Sequence, residues 1–240
     1  MIKTIIRKAL KRMGYHLERS NPETDMTMMG ALDRCRARGI SINTVIDVGA
    51  SDGSWTRECL NYFPEAHYLL IEAQEPHKKA LDEFSRSKSN VEYILAAAGR
   101  KNGKIYFDNS ALFGGLASET PLEGSSIEVP VVSIDAEVER RKLQGPFLVK
   151  LDTHGFEVPI LDGAEKTLND VSLVIIETYN YQLTSTSLRF FEMCDYMKKR
   201  GFLPIEMVDF ILRKRDHSFW QMDTFFIRAT SREFDSQSFD

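Results

Sequence analysis

Apolar positions along this chain follow two rhythms. Short apolar or β-branched runs at 44–48, 67–72, 91–97, 147–151 and 172–179 are bounded by turn-forming residues and read as buried strands. Between them apolar residues recur every three to four positions, as amphipathic helices require. The spacing predicts helices over 26–38 (Met29, Leu32 and Cys35 inward, stopped at Gly39), 55–63, a stretch opened by Pro76 (Ala80, Leu81, Phe84), 157–168 (Ile160, Leu161, Ala164, Leu168) and 188–200, ended by Gly201. A short extra strand is expected at 104–107, closing a hairpin with 130–135, and a charged helical stretch follows to Leu143. Segment 108–128 is rich in Gly, Ser and Thr and reads as a long functional loop. Two final strands, 202–206 and 222–229, precede a polar tail from Ser231. Strand and helix alternate from 44 to 200 and then strand follows strand, which predicts an α/β fold: a doubly wound sheet with an antiparallel edge strand.

Residues 1–19 differ from the rest. Ile2, Ile5, Ile6, Ala9, Leu10 and Met13 fall at helical spacing, and six basic residues stand against Glu18 alone in a chain whose net charge is -4. This basic amphipathic helix has two open readings: contact with an anionic membrane surface or a partner, or packing on the domain with a solvated basic face. The expected organisation is helix and linker over 1–25, one domain over 26–230 and the tail over 231–240.

At 240 residues with 42% hydrophobic and 28% charged side chains, the composition is that of one globular core. No run reaches the roughly 20 apolar residues of a membrane span, and the N-terminal stretch lacks the pattern of a secretory signal. A cytoplasmic protein, peripheral to a membrane at most, is expected. The acidic balance argues against a general nucleic-acid binder. Cys35, Cys59 and Cys194 match no metal or disulfide spacing and read as small apolar residues.

The most telling turn is Asp47-Val-Gly-Ala-Ser-Asp-Gly53, between a strand and a helix. Gly49 and Gly53 let bare backbone and a helix start approach a ligand. The next strand ends in Glu72, about 20 residues on, where nucleotide-binding α/β folds place the acid that accepts the ribose hydroxyls. Ser51 stands where a dinucleotide site would want its second glycine, so a pyrophosphate is disfavoured and a phosphate-free adenosine ligand fits better. S-adenosylmethionine is the common cofactor of that kind. Asp47, Gly49, Ala50, Ser51, Asp52, Gly53, Glu72 and Ala73 are its expected contacts. Ala97 and Ala98, small enough to admit a ring, are candidates beside the adenine; plain core alanines are the other reading.

A second rim lies at Lys150-Leu-Asp-Thr-His-Gly-Phe-Glu157 and Glu177-Thr-Tyr179. Two neighbouring strands would deliver Asp152, His154, Glu177 and Tyr179 to one edge, where open α/β sheets hold their ligands. An alcohol reacting at this rim would need a base to take its proton, and an imidazole with a pKa near 6.5 is suited to that, oriented by Asp152 or Glu177. A structural or substrate-binding His154 is the competing reading. Asp152 and Glu177 could alternatively hold Mg²⁺, although neither sits in a recognised metal motif, and the favoured reading has no metal. Tyr179, Ser110 and Glu157 are expected to meet the acceptor. The 108–128 loop and segment 180–187 are expected to shape its pocket. Lys150 and Glu157 read equally as a strand-end cation and a helix-start carboxylate. A non-catalytic binder of the adenosine cofactor is the rival of a different class.

Asp47-Val-Gly49, Glu72, the stretch 96–107, and above all Lys150-Leu-Asp-Thr-His-Gly-Phe-Glu157 followed by Leu161-Asp-Gly-Ala164 resemble the FkbM-type methyltransferase family. The resemblance covers about residues 44–178. It implies a class I methyltransferase, Rossmann-like fold and S-adenosylmethionine-dependent methyl transfer to oxygen, with a small-molecule, sugar or glycan acceptor. The chain departs from the family pattern at His154, where Glu or Gln is common, and at Gly99-Arg100, where an Asp is common after the third strand.

Overall fold

The computed structural model describes residues 25–112, 114–122 and 126–239. The basic stretch 1–19 lies outside the described residues. Five parallel strands form the centre of the main sheet: β1 (Thr44–Val48), β2 (His67–Glu72), β3 (Val91–Leu95), β8 (Phe147–Leu151) and β9 (Val171–Tyr179). β11 (Phe219–Arg228) runs antiparallel to β9, and β10 (Phe202–Leu212) antiparallel to β11. The order is β10-β11-β9-β8-β1-β2-β3, a seven-stranded sheet in which the strand order, not the strand direction, reverses between the parallel neighbours β1 and β8. The C-terminal tips on either side of that reversal are where such sheets bind ligands.

Near-continuous apolar runs in β1, β2 and β8 follow from burial on both faces. Ile46, Val48, Leu69, Ile71, Val149 and Leu151 belong to one core, while Val45, Tyr68, Leu70 and Leu148 belong to the core on the other face. The second core is covered by α1 (Met28–Ala37), α2 (Ser54–Cys59) and α3 (Lys78–Ser87), whose Leu32, Cys35, Cys59, Leu81 and Phe84 point inward. Thr27 caps α1 by accepting the Gly30 N–H at 3.2 Å. Arg34 and Arg38 tie that helix to Glu206 on β10.

The first core lies beneath a small sheet of order β4-β7-β5-β6: β4 (Ala97–Ala98), β5 (Gly103–Asp108), β6 (Leu116–Ser118) and β7 (Ile127–Val132). Here the strand expected over 91–97 divides in two. β2 ends at Glu72, so β3 loses its neighbour after Leu95, and Ala97 and Ala98 pair instead with Val131 and Val132. The expected 104–107 hairpin forms, but its partner is 127–132 rather than 130–135. Ser133 accepts the Ala136 N–H at 3.3 Å and so starts α4 (Ile134–Arg141) inside the apolar run. α5 (Glu157–Asp162) and α6 (Phe190–Lys199) complete the helices that pack on this face, and Gly201 ends α6 at φ +80°. The last two strands are longer than read. Polar Glu206, Asp209, Gln221 and Asp223 interrupt their apolar pattern, and three of them bond inward: Glu206 with Arg34, Asp209 with the Met28 N–H and Gln221 with Glu177, while the edge strand shows Met207, Phe210, Ile211 and Leu212 to solvent.

Candidate active site

A hollow of about 700 Å³, counting the space at its open mouth, lies at the tips of β1, β2 and β8. Its floor is Val48 at the end of β1 with Gly49 and Ser51 from the turn after it, and Ile71 and Glu72 at the end of β2 with Ala73, Gln74 and His77 from the segment after it. Ala96 to Ala98 form one wall, Phe107, Leu112, Gly114, Gly115 and Ala117 a second, and Asp152 to His154, Phe156 and Ile160 a third.

Glu72 organises the floor. Its Oε2 accepts the Ser51 N–H and its Oε1 the Gln74 N–H, each at 2.7 Å. Burial pushes the Glu72 carboxyl above its ordinary range, and those two N–H donors oppose the shift. Ser51 is held at φ +52°, a conformation that non-glycine residues seldom adopt. Gln74 then donates through Nε2 to the carbonyls of Ala111 and Leu112, and His77 Nε2 lies 2.9 Å from the Leu112 carbonyl. The long loop is thereby latched over the β2 tip and closes the same hollow that Glu72 faces.

At Gly49 the β1 and β8 tips meet backbone to backbone. A Cβ there would stand 2.0 Å from the Asp152 carbonyl oxygen, and φ is +78°. No side-chain rotation relieves a clash with a carbonyl, and the left-handed conformation alone costs an L-residue about 1–2 kcal/mol. Gly49→Ala is therefore expected to lower the melting temperature by about 4 °C or more in a thermal scan; an unchanged value would mean that the two tips stand farther apart than this.

The hollow gathers Gly49, Ser51, Glu72, Ala73, Ala97, Ala98, Asp152 and His154 from the expected site residues. Others lie elsewhere. Strand alternation turns Asp47 to the opposite face from Val48, where it is fully buried; its Oδ2 accepts the Thr56 hydroxyl at 2.7 Å and its Oδ1 lies 3.6 Å from Lys150 Nζ. Ala50 packs in the core, and Gly53 turns toward Phe84. Asp52 is spent on the start of α2, accepting the Ser54 N–H at 3.0 Å. Ser110 is exposed and donates its N–H to Asp108 at 2.9 Å. Glu157 is buried under its own turn, where Oε1 accepts the Gly155 N–H at 2.8 Å and the Thr153 hydroxyl at 3.2 Å. Tyr179 is buried with its hydroxyl on Glu177. Segment 180–187 packs through Thr184 and Ser187 against Gly155 rather than on the hollow.

At the β8 end Asp152, His154 and Glu177 converge. His154 Nδ1 lies 3.6 Å from Asp152 Oδ1 and 3.4 Å from Glu177 Oε2, and it makes no hydrogen bond. The ring is fixed by φ +54° at His154 and φ +105° at Gly155, the turn that Glu157 stitches. Lys150, also buried, reaches Asp152 Oδ2 at 3.1 Å and lies over the Trp55 ring. Burial opposes its charge, but Asp152 and Asp47 outweigh that and hold the ammonium above the usual lysine range. Burial likewise works against the Asp152 carboxylate, yet Lys150 and His154 hold it below the ordinary value. Glu177 is pushed up to about 8, by burial first and then by the Asp152 charge. Gln74, His77 and Phe107 were not legible as site residues. Leu112, Gly114, Gly115 and Ala117 carried one signal, the length of their loop, which pointed to the acceptor rather than to the Glu72 end of the hollow.

The family profile described as Methyltransferase FkbM domain matches residues 47–204, well over half of the chain, and contains both rims. This chain belongs to the FkbM methyltransferase family. Among curated proteins it is similar to the hexuronic acid methyltransferase AglP of Haloferax volcanii, with 27% identity over 134 residues, 55% of this chain and 54% of AglP. Among solved structures it is similar to the methyltransferase FkbM of Methylobacillus flagellatus KT, with TM-score 0.53 and 15% identity over 77% of this chain and 43% of the other. That likeness is one of fold. The chain spans about half the length of these two relatives. Among the described residues no helix is long and apolar enough to cross a membrane.

Proposed function

We propose that this FkbM-family chain transfers the methyl group of S-adenosylmethionine to a hydroxyl oxygen of a sugar or glycan acceptor. One observation carries the reading: the Glu72 carboxylate and the Asp152–His154 pair open onto the same hollow from opposite ends. The residues suit the cofactor. A carboxylate at the β2 tip is the group that accepts two ribose hydroxyls, Ala97 and Ala98 leave room for a flat ring, and the Gly49, Ala50, Ser51 and Gly53 N–H groups are already bonded to Ile71, Glu72 and Ala50 rather than free for a diphosphate. When bound, S-adenosylmethionine supplies an electrophilic methyl on a sulfonium. Glu72 orients its ribose, and the latch through Gln74 and His77 limits water at that end.

A hydroxyl acceptor must lose a proton as its oxygen attacks, whereas a carboxylate acceptor need not. The cluster of Asp152, His154 and Glu177 beside the hollow favours the hydroxyl. We assign the handling of that proton to this cluster, with His154 the member nearest the acceptor and Tyr179 positioning Glu177. Sugar as the acceptor class draws on the hexuronic acid specificity in the name of AglP. The test is calorimetric titration with S-adenosylmethionine, followed by transfer of labelled methyl to a panel of hexuronic acid glycosides. One-to-one cofactor binding with a base-stable methyl ether as product supports the reading. A base-labile ester would move the acceptor atom to a carboxylate, and binding without transfer to any acceptor would make the chain a cofactor binder.

A further inference from the structure

We infer that Asp152, His154 and Glu177 form a binding site for one divalent cation of the Mn²⁺ and Mg²⁺ class, a step that rests on reading this rim as the acceptor site. Their donor atoms, one from each residue, all lie within 4.8 Å of one another. Ligands held about 2.1–2.2 Å from a common ion stand roughly 3–4 Å apart, and His154 Nδ1 lies 3.4 Å and 3.6 Å from the two carboxylate oxygens. Neither contact is a hydrogen bond. The His154 Nδ1 atom is itself buried and faces both carboxylates without bonding to either.

The local charge fits as well. Asp47, Asp152, Glu177 and Asp223 cluster at these strand tips, and the buried ammonium beside them is Lys150. Lys150 engages Asp152 Oδ2 and Asp47, leaving Asp152 Oδ1 turned to His154. Glu177 is oriented from outside the cluster: the Tyr179 hydroxyl donates to Oε2 and the Gln221 amide to Oε1. Ligating carboxylates in metal sites are held by outer partners in this way. Two carboxylates and one imidazole suit Mn²⁺, which accepts oxygen and nitrogen alike, better than the oxygen-demanding Mg²⁺. Because Asp152 and His154 also line the hollow, the open coordination positions would face an incoming acceptor. There a cation would position neighbouring hydroxyls and lower the pKa of the one that reacts.

The test uses the full chain after chelator treatment. Titration with Mn²⁺ alone is expected to give one ion per chain, and the spin-echo spectrum of the bound ion should show modulation from an imidazole nitrogen. Glu177→Gln and His154→Ala should each weaken Mn²⁺ binding about 10–100-fold, and His154→Ala should remove the nitrogen modulation. S-adenosylmethionine titrated on the same samples reads the cofactor site separately, so a loss there leaves the metal result standing. The inference is overturned if folded wild-type protein binds no stoichiometric Mn²⁺, if the bound ion shows no nitrogen coupling, or if both variants bind as wild type does.

Discussion

Replacing Glu72 with alanine is expected to weaken S-adenosylmethionine binding about 100-fold. Hydrogen bonds to a charged group contribute about 1.5–3 kcal/mol each, and loss of two ribose contacts at the lower end of that range removes about 3 kcal/mol, or two decades of affinity. A second effect acts in the same direction. Glu72 also accepts the Ser51 and Gln74 N–H groups at 2.7 Å, so its removal frees the floor of the hollow and loosens the Gln74 contacts to the Ala111 and Leu112 carbonyls. Gln74→Ala separates the two contributions, because it releases the latch and leaves the carboxylate in place. It should lose about tenfold at most. Calorimetry on both variants, with melting temperatures to confirm folding, measures the difference. Unchanged affinity in Glu72→Ala would remove the ribose assignment and with it the placement of the cofactor.

Much of this arrangement was legible in the sequence, for reasons that particular residues make plain. Strands buried on both faces announce themselves as continuous apolar runs, so β1, β2, β8 and β9 could be read off directly, and with them the tips carrying Gly49, Glu72, Asp152 and Glu177. Motif spacing did not reveal which way each side chain points. Asp47 lies one residue from Val48 in the same motif, yet alternation sends it away from the hollow to Thr56 and Lys150. Glu157 falls in the sharpest part of the family motif and serves the turn that holds His154 instead of facing a ligand. In the small β4–β7 sheet the pairing of β5 with β7 was legible, but β6 and the pairing of Ala97–Ala98 with β7 were not, because such short strands carry no local record of their partner. That is why the wall formed by Phe107, Leu112 and Gly115 emerged only from the fold.

Positions 47 and 157 also show how the motif sustains the site without touching a ligand. Asp47 is buried beneath the β1 tip and draws Lys150 inward, where the ammonium meets Asp152 Oδ2. One ion-paired lysine thus connects the β1 strand to the β8 tip. On the other side Glu157 closes the turn around Gly155 and fixes the imidazole above Asp152. The two rims are set relative to each other through groups that face the interior, so the hollow inherits its geometry from the sheet.

His154→Gln is expected to lower turnover about 100-fold or more, with S-adenosylmethionine affinity unchanged. Glutamine keeps the size and polarity of the side chain, and the backbone at φ +54° is set by the Gly155–Glu157 turn and not by the imidazole, so the fold should survive. What is lost is a nitrogen that can hold a proton or a cation at working pH, and proton handling of this kind contributes about 10²–10⁴ in rate. Cofactor affinity should be spared because the proposed ribose contact, Glu72, lies on the floor at the β2 tip and not at the β8 rim. A purely structural histidine predicts the opposite division: a lowered melting temperature and turnover that recovers once the protein is held folded. Single-turnover rates at saturating cofactor distinguish the two. Full activity in the glutamine variant would leave Asp152 and Glu177 to handle the acceptor proton without it. If turnover falls, Mn²⁺ affinity measured on the same variant decides the role: a fall together with lost Mn²⁺ binding makes His154 a ligand, and a fall with Mn²⁺ binding intact makes it the base.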